Sequence, residues 1–211
     1  MRKIISILLI LALALTLAAC GSTSDSGDET ESETAAANTD TSPVVIKIDV
    51  KDFGTMTLEL YPDIAPITVA NFLSYVDDGF YNGLTFHRIY KGFMIQGGDP
   101  KGNGTGDGGK PPIKGEFAAN GVENNLSHTY GVISMARTKV MDSATCQFFI
   151  CNADASASLD GMYAAFGKLI DGEDVLDAIS NVKVKINPVT GEQPATYPVD
   201  PVVITSIYRA D

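Results

Sequence analysis

The densest run of side chains able to do chemistry is Phe86-His87-Arg88-Ile89-Tyr90-Lys91-Gly92-Phe93-Met94-Ile95-Gln96-Gly97-Gly98-Asp99. A second run, Ser134-Met135-Ala136 followed by Ser143-Ala144-Thr145-Cys146-Gln147-Phe148-Phe149-Ile150, supplies a further amide and two phenyl rings. If these runs are strands, alternation sets Arg88 on the face of Phe86, Met94 on that of Gln96 and Gln147 on that of Phe149. Phe148 and Ile150 then point the other way, into a core. One surface collects a guanidinium, carboxamides, a thioether and aromatic rings. Such a set can hold an extended chain, with an apolar slot for one side chain and donors and acceptors for the backbone beside it. Binding of this kind requires no proton transfer and no covalent step.

Other possible sites are weaker. Gly104-Thr105-Gly106-Asp107-Gly108-Gly109 satisfies G-x-G-x-x-G, but Lys110-Pro111-Pro112 follows, so no helix opens there to receive a phosphate. His87 and His128 are the only histidines and stand in no metal-ligand spacing, so both read as structural and no metal is expected. Cys146 and Cys151 lie five apart on one apolar stretch, which in a strand sends them to opposite faces and makes them buried free thiols.

The elements that must position these groups can be read from pattern. Residues 44–50 and 55–60 are β-branched runs flanking Lys51-Asp52-Phe53-Gly54, an opening hairpin. Pro66 begins a helix whose apolar residues Ile67, Ala70, Phe72, Leu73 and Val76 recur at helical spacing until Asp78-Gly79. Short strands are expected at 85–90, 93–96, 131–135, 146–151, 164–169 and 202–208, with a second helix near 172–180 carrying Val175, Leu176 and Ile179 on one face. Many short strands with two helices suggest a mainly β, closed barrel whose ends the helices plug.

The chain around this domain is of another kind. Arg2 and Lys3 precede an uncharged stretch that closes on Leu17-Ala18-Ala19-Cys20. This layout is that of a bacterial export signal over residues 1–19, too short to span a bilayer comfortably. The closing string resembles a lipobox, which implies lipidation of Cys20 and anchoring to the bacterial cell membrane. Residues 21–43 hold six acids, no base and no aromatic, so they read as a disordered spacer. From Val44 to Asp211 about 168 residues remain, enough for one well-cored domain. The formal net charge of −11 argues against nucleic acid as a partner and against attraction to lipid through basic residues.

The runs Phe86 to Asp99 and Ser134 to Ile150 resemble the signature of the cyclophilins. The likeness extends through Pro66 to Phe72, Gly115-Glu116-Phe117, Leu159-Asp160-Gly161 and Phe166-Gly167-Lys168, over almost all of residues 45–209. It implies an eight-stranded antiparallel barrel capped by two helices, and a peptidyl-prolyl cis-trans isomerase that assists folding of exported proteins. Arg88, Phe93 and Gln96 would then serve catalysis, while Met94, Ala136, Gln147, Phe149, Leu159 and Tyr163 would bind substrate. The expected partners are proline-containing polypeptides, with no cofactor and a monomeric state. A non-catalytic proline-peptide binding module or chaperone on the same fold is the alternative. Three positions depart from the pattern. Ser158 stands where cyclosporin-sensitive members carry tryptophan, Tyr163 where many have histidine, and Arg137 where many have asparagine.

Overall fold

Two β-branched runs fold back on one another across a tight turn. They are β1 (Val44–Val50) and β2 (Gly54–Leu60), in register so that Ile46 faces Leu58 and Ile48 faces Met56. All four of these side chains are buried on one face. The computed structural model describes residues 41–210; the expected export segment, Cys20 and the acidic stretch up to residue 40 lie outside the described residues. After β2 come α1 (Pro66–Asp77), β3 (Arg88–Tyr90), β4 (Met94–Gly97), β5 (Val132–Met135) and β6 (Phe148–Cys151). Then follow α2 (Ser156–Leu159), β7 (Ala165–Asp171), α3 (Glu173–Ser180), β8 (Val184–Lys185), β9 (Tyr197–Pro198) and β10 (Ile204–Arg209).

Eight strands form one antiparallel sheet in the order β10-β1-β2-β7-β5-β6-β4-β3. Its two ends meet. The amide of Phe86 donates to the Val202 carbonyl at 2.9 Å, that of Ile204 to Leu84 at 2.8 Å and that of Gly83 to Ile204 at 2.8 Å, beside a bridge between Thr85 and Val203. This seam curls the sheet into a barrel. The interior is filled by alternate residues of the strands, among them Ile46, Leu58, Ile89, Ile95, Ile133, Phe148, Ile150 and Phe166. The two expected helices press onto the same core, α1 through Val69, Phe72, Leu73 and Val76 and α3 through Val175, Leu176 and Ile179. α2 is a one-turn helix that the sequence pattern does not reveal, because four residues are too few for a period.

The start of α1 shows how distant segments are tied together. Pro66 has no N–H to satisfy, and the next two amides have no intrahelical partner. Both are taken by the buried Glu116 carboxylate, which accepts from Ile67 N at 3.1 Å and from Thr68 N at 2.7 Å. Negative charge at a helix N-terminus is favourable, so one carboxylate both caps α1 and fastens the long segment between β4 and β5 to the barrel.

One expectation fails in the run that holds Arg88. The strand begins at Arg88 rather than at residue 85, and Phe86 is fully buried inside the barrel against Phe148. The chain pairs with Val203 and Val202, just ahead of β10, at Thr85 and Phe86 and only then joins β4, so simple alternation does not run through residue 87. Arg88 therefore lies on the opposite side from Phe86.

Candidate active site

The outer face of three adjacent strands carries the site. Register sets Arg88 of β3 opposite Gln96 of β4, and Gln96 opposite Phe149 of β6, giving one row across the sheet. The next row is Tyr90, Met94 and Cys151. Between them the row Ile89, Ile95, Ile150 points inward and belongs to the barrel core. Period-two alternation thus separates a second, smaller apolar cluster from the main core. It consists of Met94, Phe149, Cys151, Ala155 and Leu159, with Tyr90, Phe93, Ala136 and Tyr163 packed against it. Cys146 lies in the main core and Cys151 in this outer one, and both are free thiols. Burial pushes Cys146 up to about 11 and Cys151 to about 12.

A cavity of about 230 Å³ opens in the outer cluster. Phe149 and Met94 line it from the sheet, Leu159 comes from α2, Phe93 from the turn before β4, Ala136 from just after β5, and Tyr163 from the loop before β7. Arg88, Gln96 and Arg137 complete its lining. Eight of the nine residues expected from the sequence thus surround one slot. Gln147 sits just outside, in a larger groove of about 740 Å³ shared with Gln96 and the glycine-rich loop. It is bound into the same constellation: Gln96 Nε2 donates to Gln147 Oε1 at 2.9 Å, and Gln147 Nε2 donates to the Gly106 carbonyl at 2.7 Å.

Each wall is braced from behind. The Phe149 ring meets Tyr163 edge-on with centroids 5.8 Å apart and lies nearly parallel to His128 at 6.0 Å. His128 Nδ1 lies 2.8 Å from Asp160 Oδ1, and its Nε2 lies 3.0 Å from Ser134 Oγ. This Ser-His-Asp order invites a nucleophilic reading. Ser134 is fully buried, though, so the trio braces Phe149 and reaches no substrate. Burial lowers the His128 pKa against the opposing pull of Asp160. Arg137, noted in the sequence only as a departure, stacks over Tyr163 at 4.6 Å and Phe117 at 5.0 Å. Its Nε and Nη2 donate to the Met162 carbonyl. It fixes Tyr163 and lines both slot and groove.

The glycine-rich stretch after β4 opens no helix and runs as a loop along the groove. Buried Asp99 organises it, accepting from the amides of Lys101 at 2.8 Å and Asn103 at 3.0 Å, and from that of Gly104. Burial alone would raise the Asp99 pKa, and these amides outweigh it. Glycine is required for space here: a Cβ on Gly108 would lie 2.4 Å from the Tyr75 hydroxyl oxygen.

The end of Arg88 is held by a residue the sequence does not single out. Arg88 Nε donates to Glu192 Oε1 at 2.7 Å and Oε2 at 2.9 Å, and Nη2 lies 2.6 Å from Oε1. Nη1 points to Met94 Sδ at 3.5 Å, into the slot, and the guanidinium carbon is 6.0 Å from the Phe93 ring centre. Burial acts to raise the Glu192 pKa, but hydrogen bonds from Arg88 and Thr196 prevail and lower it.

Next to Arg88, His87 is 2% exposed, and neither ring nitrogen makes a well-formed hydrogen bond, the Thr85 carbonyl offering at most a weak one. Burial lowers its pKa to about 4. An unfolded imidazole takes a proton near pH 6.5, so between 6.5 and about 4 the unfolded chain binds protons that the folded one refuses. The contribution of His87 is therefore fully present above pH 6.5 and is lost, by about 3 kcal/mol, on acidification through this window. Urea midpoints measured from pH 7.5 to 4.5 should fall, with a shallower slope in His87→Leu. A flat wild-type profile would show that the ring gains a proton without cost.

Known proteins share this chain's sequence pattern and fold. Residues 45–209 match the family model of the cyclophilin type peptidyl-prolyl cis-trans isomerases. The chain is 46% identical over 135 residues to a peptidyl-prolyl cis-trans isomerase of Acinetobacter baylyi, covering 62% of this chain and 69% of that one. It is 43% identical over 136 residues to peptidyl-prolyl cis-trans isomerase B of Escherichia coli, covering 61% and 80% respectively. Among solved structures it resembles a Cryptosporidium parvum cyclophilin type isomerase crystallised in the presence of the dipeptide Ala-Pro. The TM-score is 0.69 at 30% identity, over 79% of this chain and 99% of that one.

Proposed function

The chain belongs to the cyclophilin-type peptidyl-prolyl cis-trans isomerase family and is an isomerase of that kind, and from this premise we propose how its slot works and where it acts. Rotation about an X-Pro bond is slow because amide resonance gives it double-bond character, with a barrier of about 18–20 kcal/mol. Twisting the bond breaks that resonance and returns a lone pair to the proline nitrogen. A donor aimed at this nitrogen binds the twisted state better than the planar one, which is what lowers a barrier. The observation that carries the assignment is the Arg88 Nη1 directed over Met94 into an apolar slot.

In this reading Phe93, Met94, Phe149, Leu159 and Tyr163 receive the prolyl ring, while Gln96, Ala136 and Gln147 bind the flanking backbone. The rigid Gln96-Gln147-Gly106 relay supports that role, because its amides are oriented before a peptide arrives. A charge-assisted hydrogen bond worth about 1.5–3 kcal/mol supplies roughly ten- to a hundredfold in rate, and orientation within the slot supplies the rest. No proton is transferred and no covalent intermediate forms.

The site of action follows from the leading segment. Arg2, Lys3 and the string ending at Cys20 support export and lipid anchoring to the bacterial cell membrane, so the clients are exported polypeptides with X-Pro bonds, met by a monomer on an acidic tether. Expressed in a bacterium, the wild-type chain should fractionate with membranes. Cys20→Ala should be released or retain its leading segment, with isomerase activity of the domain unchanged. A correctly cleaved Cys20→Ala protein that remains on membranes would exclude the lipid anchor.

A further inference from the structure

We propose that Glu192, on the loop between β8 and β9, is the positioning residue that aims Arg88 at the proline nitrogen. The inference rests on the role given to Arg88 above. A guanidinium has two edges that a carboxylate can grip. Glu192 takes the Nε and Nη2 edge, with three contacts between 2.6 and 2.9 Å, and so leaves the Nη1 end turned to the slot. The carboxylate thus holds the arginine from behind without occupying the end that meets substrate.

Glu192 is fixed in its turn, and by the strand that carries Arg88. Its Oε2 accepts from Thr196 Oγ1 at 2.8 Å, and the Thr196 carbonyl accepts from the amide of Ile89 at 2.7 Å. The path Arg88 side chain, Glu192, Thr196, Ile89 amide closes a ring onto the residue next to Arg88 in sequence. Thr196 is 1% exposed, so this ring is packed in place. The other end of the loop is tied by Asn187. Its Nδ2 donates to the Asn103 carbonyl at 3.1 Å, and its Oδ1 accepts from the amides of Val189 and Thr190. The loop is thereby joined both to β3 and to the glycine-rich loop beside the groove.

An ion pair made only for stability would contribute little at this partial exposure. As a positioning device it acts differently. An arginine side chain free to sample its rotamers must be ordered in each turnover, and a donor that is already oriented is not. The contribution therefore appears in the on-enzyme rate rather than in peptide affinity.

The test is exchange NMR on an Ala-Pro-containing peptide with the wild-type domain, Glu192→Ala, Glu192→Gln and Thr196→Val, together with the arginine Nε–H spectrum of each protein. Glu192→Ala should slow on-enzyme isomerisation about three- to tenfold, while peptide Kd changes less than twofold. The Arg88 Nε–H resonance, protected from solvent exchange in the wild type, should exchange rapidly. Glu192→Gln keeps an acceptor of the same reach and should recover part of the rate, and Thr196→Val should show a smaller loss of the same kind. Isomerisation by Glu192→Ala as fast as wild type or faster overturns the proposal. So does a loss confined to affinity with the Nε–H signal unchanged. An inactive wild-type domain would instead remove the role of Arg88 on which the proposal stands.

Discussion

Arg88→Ala is expected to lower isomerisation efficiency toward a proline peptide at least about tenfold, the scale of one charge-assisted hydrogen bond lost from the transition state. The fold should survive, because the aliphatic stem of Arg88 lies on the outer face and the barrel is filled by the inward row Ile89, Ile95, Ile150. Arg88→Lys should recover only part of the loss. An ammonium keeps the charge but cannot engage Glu192 through Nε and Nη2 while presenting a further nitrogen to the slot. Line-shape NMR on the peptide separates binding from isomerisation, and the deficit should fall on the second. Full activity of Arg88→Ala at saturating peptide would remove the catalytic role given to Arg88 and leave the acceleration to the slot and the flanking amides.

The second large effect contrasts two neighbours in sequence. Phe149→Ala should weaken proline-peptide binding by about tenfold, because it removes the slot wall that Tyr163 and His128 brace. Phe148→Ala should instead destabilise the protein by about 3–5 kcal/mol, since this ring is fully enclosed among Phe72, Tyr81 and Phe86. While still folded, it should bind peptide nearly as well as wild type. Thermal melts and peptide titrations on the two variants read the difference directly. If both rings cost stability equally and neither costs affinity, the outer cluster is ordinary core.

Alternation explains why so much of the slot was legible. Once 94–97 and 148–151 are strands, the side on which Met94, Gln96 and Phe149 stand follows from parity, as does the burial of Ile95, Phe148 and Ile150. Parity fails only where the chain stops being a regular strand, and that is the error at Phe86. Glu192 was illegible for a different reason. It sits 104 residues from Arg88 on a loop with no period or motif, and a lone glutamate there looks like any solvated charge. The Thr196 contact with β3 that brings it in depends on the short β8-β9 pairing, which two-residue strands do not announce in composition. Arg137 lay between these cases. Its identity was seen to depart from the family pattern, but its stacking on Tyr163 needed the return of the chain before β7.

The seam between the ends of the sheet also bears on how such a protein can handle extended chains and let them go. An open sheet edge offers a row of unsatisfied amides and carbonyls to which any extended polypeptide can add itself as another strand. Here the donors and acceptors at Gly83, Leu84 and Phe86 are spent on Val202 and Ile204, and the amide of Ile207 further along β10 is occupied by the Asn82 side chain. A proline peptide therefore meets side chains in the slot and groove, and no template for cross-strand growth at this seam. An extended peptide thus finds no free donors or acceptors at this seam by which to add itself to the barrel.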